Sequence, residues 1–478
     1  MNKQAEGATA RSLFSASEDR NQRWRELHRV AKDMAAGGDA AKARKEAQAL
    51  IAALAPLEDL CAYPGPRLMA QVAERAKEGD GASLARLTQR ISVALLSNSY
   101  RDDPEAWKSD EEDDDPHLPS ILPPSIGRGQ ARKPYCEVLI VSPGERSTWE
   151  PTREGMRKLR RDADAFVVEP VVVGSFEDAV LAVLVNYNIQ AVALFDGFGY
   201  ASHTPLADLR ELIDAYLPKA ATARDGDLAM LLSRALHAIR PELDIYLATD
   251  RDVGKLAGAE EAAGVRRVFY ALEEMLELHL SILEGLQDRY ATPYFDNLKK
   301  YAQRPIGTFH ALPVARGKSI FKSNWIRDMG EFYGANLFLA ESSATTGGLD
   351  SLLEPTGNIK VAQEKAARAF GGDRCFFVTN GTSTSNKIIH MAVCRPGDIV
   401  LIDRDCHKSH HYGLVLAGAQ PLYIDAFPLT QYSMYGSLAI KPITDTLKQL
   451  KAEGKLDRVR MLVLTNCTFD GHVANVER

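Results

Sequence analysis

The feature that most constrains the fold of this chain is an alternation that begins at Tyr135. Short apolar runs, Cys136–Val141, Phe166–Val173, Ala191–Phe195, Leu243–Ala248 and Val265–Tyr270, are separated by stretches of helical spacing. Strands that alternate with helices must pair in parallel, because each crossover helix returns the chain to the same end of the sheet, so a doubly wound α/β layer is expected. Five such strands predict a flavodoxin-like or receiver-like layer over residues 135–270. In that layer Asp196, just past the third run, falls at the carboxyl edge where ligands bind. It is a conceivable phosphoacceptor, or simply part of a receiver-like fold used for packing, and no lysine follows Val265–Tyr270 to stabilise a phosphate.

Upstream, Leu27, Val30, Ala31 and Met34 recur at helical spacing and Ala47–Leu54 is alanine-rich, so residues 1–108 read as a helical leader. Residues 109–134 contain six consecutive acids, Asp110 to Asp115, and then Pro116, Pro119, Pro123 and Pro124. Such a stretch repels itself and has little to bury; it reads as a linker, a solvated tether or an attachment point for a basic partner or cation. Residues 271–304, with the helical run Leu272–Leu286 and the turn-rich Thr292–Pro293, are expected to connect the five-stranded layer to a second, larger α/β domain over 305–478.

With 58 Lys+Arg against 64 Asp+Glu the net charge is −6, which argues against a general nucleic-acid binder. No run approaches the ~20 apolar residues of a membrane span, and Met1–Ser15 has no apolar signal core. Six cysteines, Cys61, Cys136, Cys375, Cys394, Cys406 and Cys467, form no CxxC pair, which fits reduced thiols in a cytoplasmic protein better than a disulfide framework or a metal site.

The chemistry is expected in the second domain. A helix over Lys360–Phe370, a strand Cys375–Val378 and the run Thr379-Asn380-Gly381-Thr382-Ser383-Thr384-Ser385-Asn386 precede a helix over Lys387–Val393. A glycine turn rich in hydroxyls at a helix start can hold phosphate, because the first N–H groups lack intrahelical partners and the helix dipole favours an anion. Ordinary capping of the helix would need only one of those hydroxyls. The next strand, Ile399–Ile402, leads into Asp403-Arg404-Asp405-Cys406-His407-Lys408-Ser409-His410-His411-Tyr412. His407 at its edge could stack on an aromatic ring, join a metal cluster with its neighbouring histidines, or open a helix. A third strand, Val459–Leu464, ends in Thr465-Asn466-Cys467-Thr468. Cys467 could act as a nucleophile, but with no base in view a small filler beside a ligand is the plainer reading.

The stretch Phe377–Val476, above all VTNGTSTSNK, LIDRDCHKSHHYGLVLAGA, YSMYG and LTNCTFDGHVANVER, resembles the bacterial-type Orn/Lys/Arg decarboxylases, fold-type I enzymes that use pyridoxal 5'-phosphate. A weaker likeness reaches back to about Tyr135, where the family has its wing domain; residues 1–134 are not covered. The resemblance implies that Thr382, Ser383 and Thr384 hold the cofactor phosphate, that His407 stacks on the pyridine ring, and that Thr465 and Asn466 lie beneath the cofactor. It further implies decarboxylation of ornithine, lysine or arginine to a polyamine-type amine, no metal, no nucleic-acid or membrane partner, and a homodimer or higher homo-oligomer.

Two departures accompany the likeness. Where many members carry a Pro-Gly-His segment this chain has Leu312-Pro313-Val314-Ala315-Arg316-Gly317-Lys318. The family's Schiff-base lysine and the aspartate that pairs with the pyridine nitrogen lie downstream of the DGHVANVER match. The expectation is therefore the N-terminal part of such an enzyme: helical leader, wing, and a truncated cofactor domain that is inactive as residues 1–478 alone. The alternative is a regulatory or interaction module with a degenerate cofactor fold.

Overall fold

A computed structural model describes residues 5–37, 40–102, 133–204, 209–210, 213, 228–252, 264–270, 272, 275–309, 311–341 and 349–474. The acidic and proline-rich stretch from Asp110 to Pro124 lies outside them. The chain divides into two compact units, Met1–Ala291 and Thr292–Arg478. The segment 271–304, expected to be one connector, is thereby shared: helix Met275–Tyr290 belongs to the first unit and helix Pro293–Gln303 to the second.

In the first unit five parallel strands, β1 (Tyr135–Val141), β2 (Val167–Val173), β3 (Ile189–Phe195), β4 (Asp244–Thr249) and β5 (Val265–Tyr270), take the order β2-β1-β3-β4-β5. This is the order of the flavodoxin and receiver layers. The central strands are apolar on both faces because helices cover both: Phe176–Val185 and Leu228–Ile239 bury Leu181 and Leu232 on one side, Met275–Tyr290 buries Ile282 and Leu286 on the other.

The leader forms four helices, Ala5–Ala35, Ala40–Glu58, Gly65–Glu78 and Gly81–Ser97, around Trp24, Leu27, Leu54, Leu84 and Ile91. It packs directly on the wing, with Leu60 and Ala62 inside the wing core. The contact centres on Glu137, 1% exposed, whose two oxygens accept from Ala62 N–H (2.9 Å), Asn186 Nδ2 (2.8 Å), Asn188 Nδ2 (3.0 Å) and the Tyr135 hydroxyl (2.9 Å). A carboxylate buried this deeply is stable only because both oxygens are satisfied.

The second unit contains a parallel sheet in the order β10-β6-β7: β6 (Ile399–Asp403), β7 (Gln420–Ile424) and β10 (Val459–Val463). A small antiparallel pair, β8 (Pro428–Leu429) and β9 (Met434–Tyr435), lies between β7 and β10 in the chain. β7 went unread in the sequence because Gln420-Pro421-Leu422-Tyr423-Ile424 has no apolar alternation and only Ile424 is buried. The expected strand Cys375–Val378 is not one: it has no ladder partner among the described residues, and Phe376 and Phe377 are exposed. An apolar run becomes a strand only when a neighbouring backbone accepts its hydrogen bonds.

Candidate functional site

The hydroxyl run is not a loop before a helix but the helix start itself. The helix spans Thr382–Val393, five residues earlier than its apolar spacing suggested. Gly381 precedes it at φ +74°, a left-handed conformation that a Cβ would strain, with nothing within 4 Å of where that Cβ would stand. No side chain caps this start. The Gly381 carbonyl accepts from Thr384 N–H (3.0 Å) and Ser385 N–H (3.4 Å), and Thr384 Oγ1 reaches the Asn380 carbonyl at 3.4 Å. Three hydroxyl side chains in the first turn, none used as a cap, fit an anion better than they fit capping.

His407 stands just past β6. It is exposed and is the N-cap of helix Lys408–Ala417, its Nδ1 accepting from Ser409 N–H at 3.2 Å. Ser409 Oγ lies 2.8 Å from the same nitrogen and 2.9 Å from Asn386 Nδ2. The helix with the hydroxyl run and the helix capped by His407 are thus tied together beside their starts. One helical turn further in, the buried His390 meets His410, Nε2 to Nδ1 at 3.1 Å with the rings edge to face. Burial lowers the pKa of both, and that of His410 is lowered further by the neighbouring His390, His407 and His411. The backbone of Gly413 comes so close to His390 that an added Cβ would lie 2.6 Å from its ring.

The three clustered histidines do not converge. His407 turns to Ser409, His410 to His390, and His411 to the Tyr423 hydroxyl (Nδ1, 3.1 Å) and Cys406 Sγ (Nε2, 3.7 Å). No group of three metal-ligating side chains occurs among the described residues. Burial, with Asp403 nearby, pushes the Cys406 thiol up to about 11, away from nucleophilic use.

Thr465 and Asn466 follow β10, which pairs with β6 at Val463 and Ile402, so they share the carboxyl edge with His407. Asn466 O accepts from Ala474 N–H (2.9 Å) in a hairpin that Thr468 closes through His472. Cys467 is exposed in that hairpin, with only the Thr468 carbonyl near its sulfur.

Two residues that the sequence reading passed over organise the earlier part of the second unit. Asp350 accepts from the N–H groups of Ser351, Thr356, Gly357, Ile359 and Lys360, crowning helix Asn358–Ala369. Against the upward push of desolvation these bonds hold its carboxyl at about 2. Arg316, inside the departing Leu312–Lys318 segment, is buried at φ +54°. Its guanidinium donates to the carbonyls of Tyr301, Ala302, Arg304 and Leu339, closing the end of helix Pro293–Gln303. Neither role has a local sequence signature, since the partners are distant in the chain or are backbone atoms. In the first unit Asp196 accepts from the Thr249 hydroxyl and from Arg251 (3.2 Å), so a cation arrives from after β4 rather than after β5.

Residues 292–478 match the family model described as Orn/Lys/Arg decarboxylase, major domain. Lysine decarboxylase LdcA of Pseudomonas aeruginosa is 30% identical over 309 residues, which cover 59% of this chain and 40% of that protein. The constitutive ornithine decarboxylase of Escherichia coli is 35% identical over 217 residues (45% of this chain, 29% of that protein), and its biodegradative arginine decarboxylase is 30% identical over 254 residues (51% and 34%). The solved structure of lysine decarboxylase A from Pseudomonas aeruginosa aligns with 70% of this chain and 44% of its own at 23% identity and a TM-score of 0.36. The chain thus matches between 29% and 44% of the length of these relatives.

Proposed function

We propose, from the premise that this chain belongs to the Orn/Lys/Arg decarboxylase family through its residues 292–478, that it contributes the phosphate-binding and ring-stacking side of a pyridoxal-phosphate site for decarboxylating a basic amino acid. The observation that carries this reading is the uncapped helix start at Gly381, with Thr382, Ser383 and Thr384 in its first turn, tied through Asn386 and Ser409 to His407. The residues present fit the cofactor's two ends: an anion seat open above Gly381 and an exposed, anchored imidazole.

When bound, pyridoxal phosphate supplies the electron sink for loss of the α-carboxylate as carbon dioxide. The chain's own residues do the rest. The first-turn N–H groups and the hydroxyls of Ser383 and Thr384 bind the phosphate dianion and fix the cofactor's position. The His407 ring offers a flat face to the pyridine and excludes water from it. Thr465 and Asn466 bring polar groups to the same sheet edge. Ornithine, lysine and arginine are the substrate class, with a diamine or agmatine as product. A homo-oligomer in the cytoplasm is part of the proposal, supported by Trp325 and Phe332 exposed on the second unit and by six unpaired thiols. Among the described residues no helix is long and apolar enough to cross a membrane.

The test is a titration of the 478-residue chain with pyridoxal phosphate, followed by its absorbance and by protection of the phosphate-turn amides from hydrogen exchange. Saturable binding with protection of residues 382–385 supports the reading. Binding elsewhere, or none, overturns it.

A further inference from the structure

We infer that Ser409 and Asn386 are positioning residues that set the tautomer and plane of His407; the inference rests on the proposed stacking role of that histidine. Ser409 is 1% exposed and makes three bonds that share one direction. Its backbone N–H donates to His407 Nδ1, so that nitrogen presents its lone pair. Its Oγ accepts from Asn386 Nδ2, and so turns its own hydroxyl proton toward Nδ1. The neutral imidazole then carries its proton on Nε2, the nitrogen on the far side of the ring from the helix. A proton on Nδ1 would instead confront the Ser409 N–H and leave the hydroxyl with two donors and no acceptor.

The direction of this short chain is set by Asn386, which lies on the phosphate-turn helix four residues before His390. The His390–His410 bond repeats the connection one turn along and prevents the two helices from sliding past each other. The helix that presents the phosphate hydroxyls therefore also decides which face and which nitrogen His407 offers to a ring. Seating the phosphate and orienting the stacking residue become one event, because both depend on the same helix.

The experiment uses the 478-residue chain labelled with 15N-histidine, in which long-range proton–nitrogen spectra distinguish the two neutral tautomers; His407 is assigned by the signal lost in His407→Asn. The wild type is expected to show His407 protonated on Nε2. Asn386→Asp preserves shape but removes the donor to Oγ: the carboxylate accepts a hydrogen bond from the Ser409 hydroxyl, Oγ is left to accept from a protonated Nδ1, and His407 is expected to gain a population protonated on Nδ1 while the Ser409 N–H still favours the wild-type tautomer. Ser409→Ala should give a tautomer mixture and weaken pyridoxal phosphate about tenfold, the effect of one hydrogen bond. A wild-type ring protonated on Nδ1, or an Asn386→Asp protein whose His407 signals match wild type, overturns the inference. If the tautomer shifts occur but the wild type does not bind pyridoxal phosphate, the proposed function fails while the orientation of His407 by Asn386 and Ser409 stands.

Discussion

Asn386 donates its side-chain N–H to Ser409 Oγ at 2.9 Å, joining near their starts two helices that begin 26 residues apart in sequence, at Thr382 and Lys408. That bond ties the hydroxyl run to the helix that His407 caps, even though the apolar run before the first helix pairs with no strand among the described residues.

If the hydroxyls seat a phosphate, Ser383→Ala combined with Thr384→Val should weaken pyridoxal phosphate binding by roughly 1.5–3 kcal/mol for each charge-assisted hydrogen bond lost. Neither hydroxyl caps the helix, so thermal stability should change little. Equilibrium titration beside a melting curve tests both halves; wild-type affinity would count against the anion seat.

His407 caps a helix, and the proposed stacking on the cofactor ring is separable from that. His407→Ala removes the cap and the stacking face, whereas His407→Asn keeps a capping side chain and removes only the ring. Both should lose cofactor affinity, on the order of 1 kcal/mol for the stacking. Only the alanine variant should also lose stability, about 1 kcal/mol for the cap. Equal melting temperatures for the two variants would contradict the capping role.

The pair of buried His390 and half-buried His410 makes the second unit acid-sensitive. Both are harder to protonate folded than unfolded, where the ordinary value is 6.5. The unfolded state therefore binds more protons below that pH, and stability falls as pH drops from about 6.5 while staying flat above it. His390→Gln, which retains hydrogen-bonding atoms opposite His410, should flatten the profile by a few degrees in melting temperature between pH 7.5 and about 5.5. Parallel pH profiles for the two proteins would refute this.

Glu137 should dominate the leader–wing contact. Glu137→Ala strands four donors in a buried space, with an expected loss of about 3 kcal/mol or more from the first unit. Urea denaturation followed by tryptophan fluorescence is a suitable measure, and a loss under 1 kcal/mol would overturn this role for Glu137, leaving the leader to its apolar contacts and to the bonds at Leu60, Tyr100 and Asp59.

Asp196 should not accept a phosphoryl group. Thr249 and Arg251 occupy its two oxygens, and no acidic pair for a metal stands near it among the described residues. The intact mass should stay unchanged after exposure to a small phosphodonor; an adduct on Asp196 would reverse this reading.

The wing's parallel layer was readable in the chain because its central strands are buried on both faces and read as continuous apolar runs, as Tyr135–Val141 and Val167–Val173 show. The hydroxyl run after Gly381 and His407 could be singled out as candidates because glycine, hydroxyls and an imidazole at strand and helix ends are local features. Composition and spacing could not reveal that Cys375–Val378 lacks a partner, since pairing is a property of two segments. The same holds for the leader seated on Glu137, for Arg316 gathering carbonyls from helix Pro293–Gln303, and for Asn386 reaching Ser409. Each joins groups far apart in the chain, and their energy exists only once folding has removed water from between them.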